Sequence, residues 1–151
     1  MIRKIKNILS ILYSKYCLDE FHYNKALIAK MLVNINNNKD ILFLEESEFK
    51  VSSQFGEDGI IQYLISKIPI ENKVFVEFGV ENYTESNTRF LLQNNNWSGL
   101  VIDGNIKNIS YIKKDPIYWK YDLVAKHSFV DVDNINTLLR EYIQQSNFSK
   151  D

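Results

Sequence analysis

Val74-Phe75-Val76-Glu77-Phe78-Gly79-Val80-Glu81-Asn82 decides the fold. It is a run of β-formers broken only by Glu77, and it ends in a glycine followed by polar residues. Such a run predicts a strand buried on both faces of a parallel sheet. A helix over 84–93 is expected next, entered through Asn82, Thr84, Ser86 and Asn87. Gly99-Leu100-Val101-Ile102-Asp103 then predicts a second strand that ends in an acid.

The pattern continues outward in both directions. Upstream, Ile60, Ile61, Leu64, Ile65 and Ile68 recur at helical spacing, with Ser53 as the expected N-cap and Pro69 as the stop. Downstream, a short helix is expected over 106–113, a third strand over 117–124 and a helix over 131–145, capped by Asp131 or Asp133. Strict alternation of helix and strand argues an α/β fold with a mostly parallel sheet and helices on both faces. Residues 1–50 are expected as a helical N-terminal extension, in two helices separated near Tyr16–Leu18. A short extended piece is expected at Ile41–Leu44.

Composition limits the alternatives. The chain has 151 residues, enough for one domain with a buried core. Its formal charge of -1 gives no argument for a nucleic-acid partner. A single Cys excludes an internal disulfide, and no Cys/His cluster has metal spacing. No apolar run reaches the ~18–20 residues of a spanning helix. The basic, apolar start is too short for a secretory signal, so the chain is expected to be cytoplasmic. Ile2, Ile5, Ile8, Leu9, Leu12 and Tyr16 form one helical stripe. That stripe suits either packing on the chain's own domain or weak peripheral contact with an anionic membrane surface.

Parallel sheets bind ligands beyond the carboxyl ends of their strands. Attention therefore falls on the loop from Gly79 to Thr88 and on Asp103. A glycine after the first strand, a following helix and an acid about 20 residues on make a nucleoside-binding βαβ layout. The GxGxxG form is absent, because Glu81 and Thr84 occupy the later glycine positions. Glu81 would repel a pyrophosphate. A cationic or zwitterionic nucleoside suits this acidic loop, and S-adenosylmethionine has that chemistry. For Glu77, a salt bridge to Arg89 is the alternative role; for Asp103, it is a turn cap.

SQFGEDGIIQYLI, VFVEFGVENYTESNTRFLL and WSGLVIDGN together resemble the FkbM-like S-adenosylmethionine-dependent methyltransferases. The resemblance covers roughly residues 51–148. It implies a Rossmann-like class I methyltransferase domain over 51–151, here the N-terminal half of one, apparently truncated after three strands. It implies O-methylation of a sugar or another small, glycan-related substrate. Glu77, Gly79, Val80 and Glu81 match the first cofactor motif, and Asp103 with Gly104 the ribose-binding turn. Gln54, Asp58, Asn87 and Thr88 match positions near the cofactor pocket. Tyr83 departs from the pattern, because relatives carry glycine there. No catalytic base and no metal are implied. The competing reading is a noncatalytic interaction module that associates through an open sheet edge.

Overall fold

The computed structural model describes residues 2–148. Its order is α1 (Ile2–Asn37), a 3-10 turn (Leu44–Ser47), α2 (Glu57–Lys67), β1 (Val74–Phe78), α3 (Arg89–Asn95), β2 (Ser98–Asp103), α4 (Ile106–Ile112), α5 (Pro116–Lys120), β3 (Leu123–His127) and α6 (Ile135–Phe148). The three strands form one sheet in the order β1-β2-β3, and both neighbouring pairs are parallel. The register sets Phe78 beside Ile102 and Asp103 beside His127. All three carboxyl ends therefore open at one edge of the domain.

Helices cover both faces, as the alternation predicts. On one face Phe75, Val101, Leu123 and Ala125 meet Leu91 and Leu92 of α3, Ile109 and Ile112 of α4, and Ile117 of α5. On the other, Leu100 and Ile102 meet Leu138 and Tyr142 of α6. The second cover does not reach β1. Val74, Val76 and Phe78 stay exposed, so this strand is buried on one face and not on both. β1 and β3 are the two sheet edges.

Several boundaries differ from the sequence expectations for local reasons. The N-terminal segment is one continuous helix through Asn37, because nothing between Tyr16 and Leu18 breaks it. Residues 41–43 are not extended pairing partners, and a 3-10 turn follows them. α2 starts at Glu57 rather than at Ser53, with Gly56 in the left-handed region at its entry. Residues 117–120 are helical: Asp115 caps them through the Ile117 N–H, and Pro116 supplies a first-turn φ. The third strand consequently begins only at Leu123. Asp131 caps the entry to α6, accepting from the Asp133 and Asn134 N–H groups.

The helical extension is tied to the rest by its second half. Lys25 Nζ donates to the Val51 carbonyl at 2.7 Å, and Asn36 Nδ2 donates to the Ser47 carbonyl at 3.0 Å. Ala29 is buried there. Gly59 lets the backbone of residues 47–49 cross α2 directly, because a Cβ at that position would collide with the Ser47 carbonyl and the Phe49 nitrogen. The described side chains from Ser10 to Leu18 are exposed. Leu12 and Tyr16 therefore do not pack on the domain, while the side chains of Ile2, Ile5, Ile8 and Leu9 lie outside the described residues. Among the described residues, no helix is long and apolar enough to cross a membrane.

Candidate functional site at the carboxyl end of the sheet

The loop from Gly79 to Thr88 begins where β1 leaves the sheet. The Gly79 N–H still donates to the Ile102 carbonyl at 2.9 Å, so the turn starts from a fixed point. Gly79 has φ +72°, and no atom lies within 4 Å of where its Cβ would be. The positive φ favours glycine, and the open space leaves the backbone approachable. Val80 turns inward and is buried in the core. Glu81 follows at φ +50° with its side chain exposed.

Asp103 lies across from this loop and is 7% exposed. Its Oδ2 accepts from the Glu81 N–H at 2.8 Å. Its Oδ1 accepts from the Asn105 N–H at 2.8 Å and from Asn108 Nδ2 at 2.9 Å. One carboxylate thus joins the loop after β1 to the turn after β2. Both expected roles of Asp103 are compatible with this geometry, because Oδ2 accepts one hydrogen bond and has a further lone pair, while Oδ1 already accepts two.

Glu77 closes the other end of the loop. It accepts from the Asn87 N–H at 3.0 Å, from the Thr88 N–H at 3.1 Å and from Thr88 Oγ1 at 2.5 Å. Arg89 is not its partner. That guanidinium bonds Asp115 at 3.4 Å and the Tyr83 carbonyl at 3.0 Å. Glu77 thereby answers the polar backbone at the start of α3, which begins five residues later than the sequence suggests.

Tyr83 has φ +63°, which explains why a glycine suits this position. Its ring leaves the loop for the core and is fully buried. It therefore does not crowd the space above Gly79. Its hydroxyl lies 3.0 Å from Thr88 Oγ1. That Oγ1 already donates to Glu77, so the phenol is the donor. Burial pushes the Tyr83 phenol well above its ordinary range, and the nearby Glu77 charge acts in the same direction.

The remaining expected residues divide. Gly104 joins the cluster, packed under the ring of Phe129, which is itself largely exposed. Asp58 does not face the crevice, since it is 1% exposed. Its Oδ2 accepts from the N–H groups of Val51, Ser52 and Ser53 and from Ser53 Oγ. The segment it holds touches the loop in turn, because the Ser52 carbonyl accepts from the Ser86 N–H at 3.0 Å. Gln54 is exposed, and its carbonyl accepts from Lys50 Nζ at 2.9 Å.

Sequence reading missed Asn108, Phe129 and the position of His127. His127 ends β3 beside Asp103, and its Nε2 lies 3.0 Å from the Gly104 carbonyl. Strand register sets His127 beside Asp103, α4 brings Asn108 to the same carboxylate, and the loop after β3 lays Phe129 on Gly104. Among the described residues, no group of His, Cys, Asp or Glu is arranged to hold a metal ion. A cleft of about 550 Å³ lies elsewhere, between α1 and α3, and neither Gly79 nor Asp103 lines it. In parallel sheets ligands bind beyond the carboxyl ends of the strands, which is where Gly79 and Asp103 lie. No family model matches the sequence, and no match is found among curated proteins or solved structures.

Proposed function

We propose that the carboxyl end of the sheet binds S-adenosylmethionine and that the protein belongs to a cytoplasmic, Rossmann-like methyltransferase acting on a small or glycan-related hydroxyl substrate. The observation that carries the reading is the single carboxylate of Asp103, bridging the Glu81 N–H and the Asn105 turn beside the open backbone of Gly79. The donor set suits this ligand. Residues 77–88 hold Glu77, Glu81 and Glu85 and no Lys or Arg, which repels phosphate and favours a sulfonium or an ammonium. Gly79 lacks the Cβ that would occupy the crevice.

When bound, S-adenosylmethionine supplies a methyl group already activated by its sulfonium. The chain's part is then orientation, which can contribute on the order of 7–11 kcal/mol in well-aligned reactions. Asp103 accepts from one ribose hydroxyl with the remaining lone pair of Oδ2. Glu81 offers negative charge at the loop. Glu77 fixes the far end of the loop, through Asn87 and Thr88, and so positions rather than reacts. The exposed ring of Phe129 over Gly104 offers a flat apolar face for a base. No side chain is assigned as the general base.

Isothermal titration with S-adenosylhomocysteine tests this reading. Saturable binding that Glu81→Lys weakens is expected. Equal affinity in wild type and Glu81→Lys removes the acidic loop from the site.

A second reading rests on a separate observation. Val74, Val76 and Phe78 leave an uncovered apolar strip on an open edge strand. Such edges favour association. A noncatalytic module would use this edge to join another chain. Light scattering at rising concentration separates the cases: a dimer without homocysteine-nucleoside binding favours the module, and a ligand-binding monomer favours the enzyme.

A further inference from the structure

The cleft between α1 and α3 has an electrostatic character opposite to that of the strand-end crevice. Its volume of about 550 Å³ falls within the range of small-molecule sites. Lys30 of α1, Arg89 of α3 and Lys120 at the end of α5 line it together with Tyr23, Phe90 and Tyr121. No Asp or Glu among the described residues does so. This is not the background of the chain, in which acids outnumber bases. Arg89 is already committed to Asp115 and to the Tyr83 carbonyl. Among the described residues, neither Lys30 nor Lys120 pairs with a carboxylate. Lys120 Nζ instead sits 5.5 Å from the centre of the Tyr121 ring.

Two uncompensated ammonium groups facing an aromatic-walled cavity fit a specific kind of molecule. The charges answer a compact dianion, and the rings answer a flat apolar body. We propose that this cleft is a binding site for a small phosphate monoester that carries a ring, with Lys30 and Lys120 on the phosphate. The proposal is independent of the methyl-transfer reading, since it shares neither Gly79 nor Asp103.

The probe is phenyl phosphate, titrated into the whole chain by calorimetry and by amide NMR. Saturable binding is expected, with shifts on residues 22–30 and 89–94. Phenol should bind more weakly, because it lacks the dianion. Lys30→Gln combined with Lys120→Gln should weaken phenyl phosphate by about tenfold to a hundredfold. Both side chains are exposed, so the melting temperature should not move. Lys113→Gln, an exposed charge loss outside the cleft, should leave binding unchanged. The proposal is overturned by an absence of saturable binding, by unchanged affinity in the double variant, by equal weakening in Lys113→Gln, or by shifts centred on residues 79–82 and 103–105.

Discussion

Replacing Asp58 by alanine perturbs the join between the helical extension and the sheet domain. One oxygen of this buried carboxylate accepts three backbone N–H groups and one hydroxyl, at 2.7–2.9 Å. Alanine orphans all of them. The Ser53 N–H is buried and loses its partner outright, at roughly 1–3 kcal/mol. The Val51 and Ser52 N–H groups are part-buried and regain some hydration, so they add less. The expected total is about 3–4 kcal/mol. That is a large part of a typical 5–15 kcal/mol stability, and it lowers the melting midpoint by about 6–16 °C at this chain length. Asn is the informative control. Its amide oxygen can take the place of Oδ2, while its NH2 replaces Oδ1, which has no partner in the structure. Asp58→Asn should therefore lose about half as much. Urea unfolding followed by far-ultraviolet circular dichroism measures both. A loss under ~1 kcal/mol for Asp58→Ala would refute the claim that this carboxylate organises residues 51–53.

Three further outcomes follow from the same geometry. Gly79→Ala should cost only about 1–2 kcal/mol, the strain of a left-handed alanine, because its methyl meets no atom; S-adenosylhomocysteine affinity should fall far more, and a calorimetric titration showing equal affinity would place the ligand elsewhere. Tyr83→Phe removes the hydroxyl bonded to Thr88 and should cost roughly 0.5–1.5 kcal/mol by urea unfolding, with no change ruling out that bond as a support of the loop. Burial raises the phenols of Tyr83 and Tyr142 above the ordinary value of 10.0. The unfolded chain therefore loses these protons first, so their contribution to stability is full below pH 10 and declines above it. Tyrosinate absorbance should show Tyr83 ionising only with unfolding and Tyr142 later than the exposed phenols, and all nine tyrosines ionising together in the folded chain would contradict this.

Elements whose signal is local were legible in the sequence. The β1 run, the acid ending β2 and the alternation around them led directly to a parallel sheet with helices on both faces. Residues 117–120 show where local reading fails. Their aromatic and β-branched side chains favour a strand, yet Asp115 and Pro116 start a helical turn, and the core accepts Ile117 from it. Ser53 was a sound cap by type, but Asp58 captured both its N–H and its hydroxyl, which moved the helix start to Glu57. The exposure of one face of β1 depends on how far α6 reaches, a tertiary matter with no signature in β1 itself. In the site, the spacing of Gly79 and Asp103 placed two residues correctly at the strand ends. Asn108, His127 and Phe129 reach the same place only through α4, strand register and the loop after β3. The lysine-bearing cleft was invisible, because its walls come from α1, α3 and the α5–β3 corner.

The most direct test of the central claim is a thermal melt with and without S-adenosylhomocysteine, on wild type and on Asp103→Asn. Ligand at 100 times its dissociation constant adds about 2.7 kcal/mol, which raises the midpoint by roughly 5–11 °C for a chain of this size. The account predicts that shift in wild type and its loss in Asp103→Asn, with the variant still melting cooperatively. A cooperative wild-type melt that the ligand does not move, or an equal shift in the variant, would contradict a nucleoside site at the carboxyl end of the sheet.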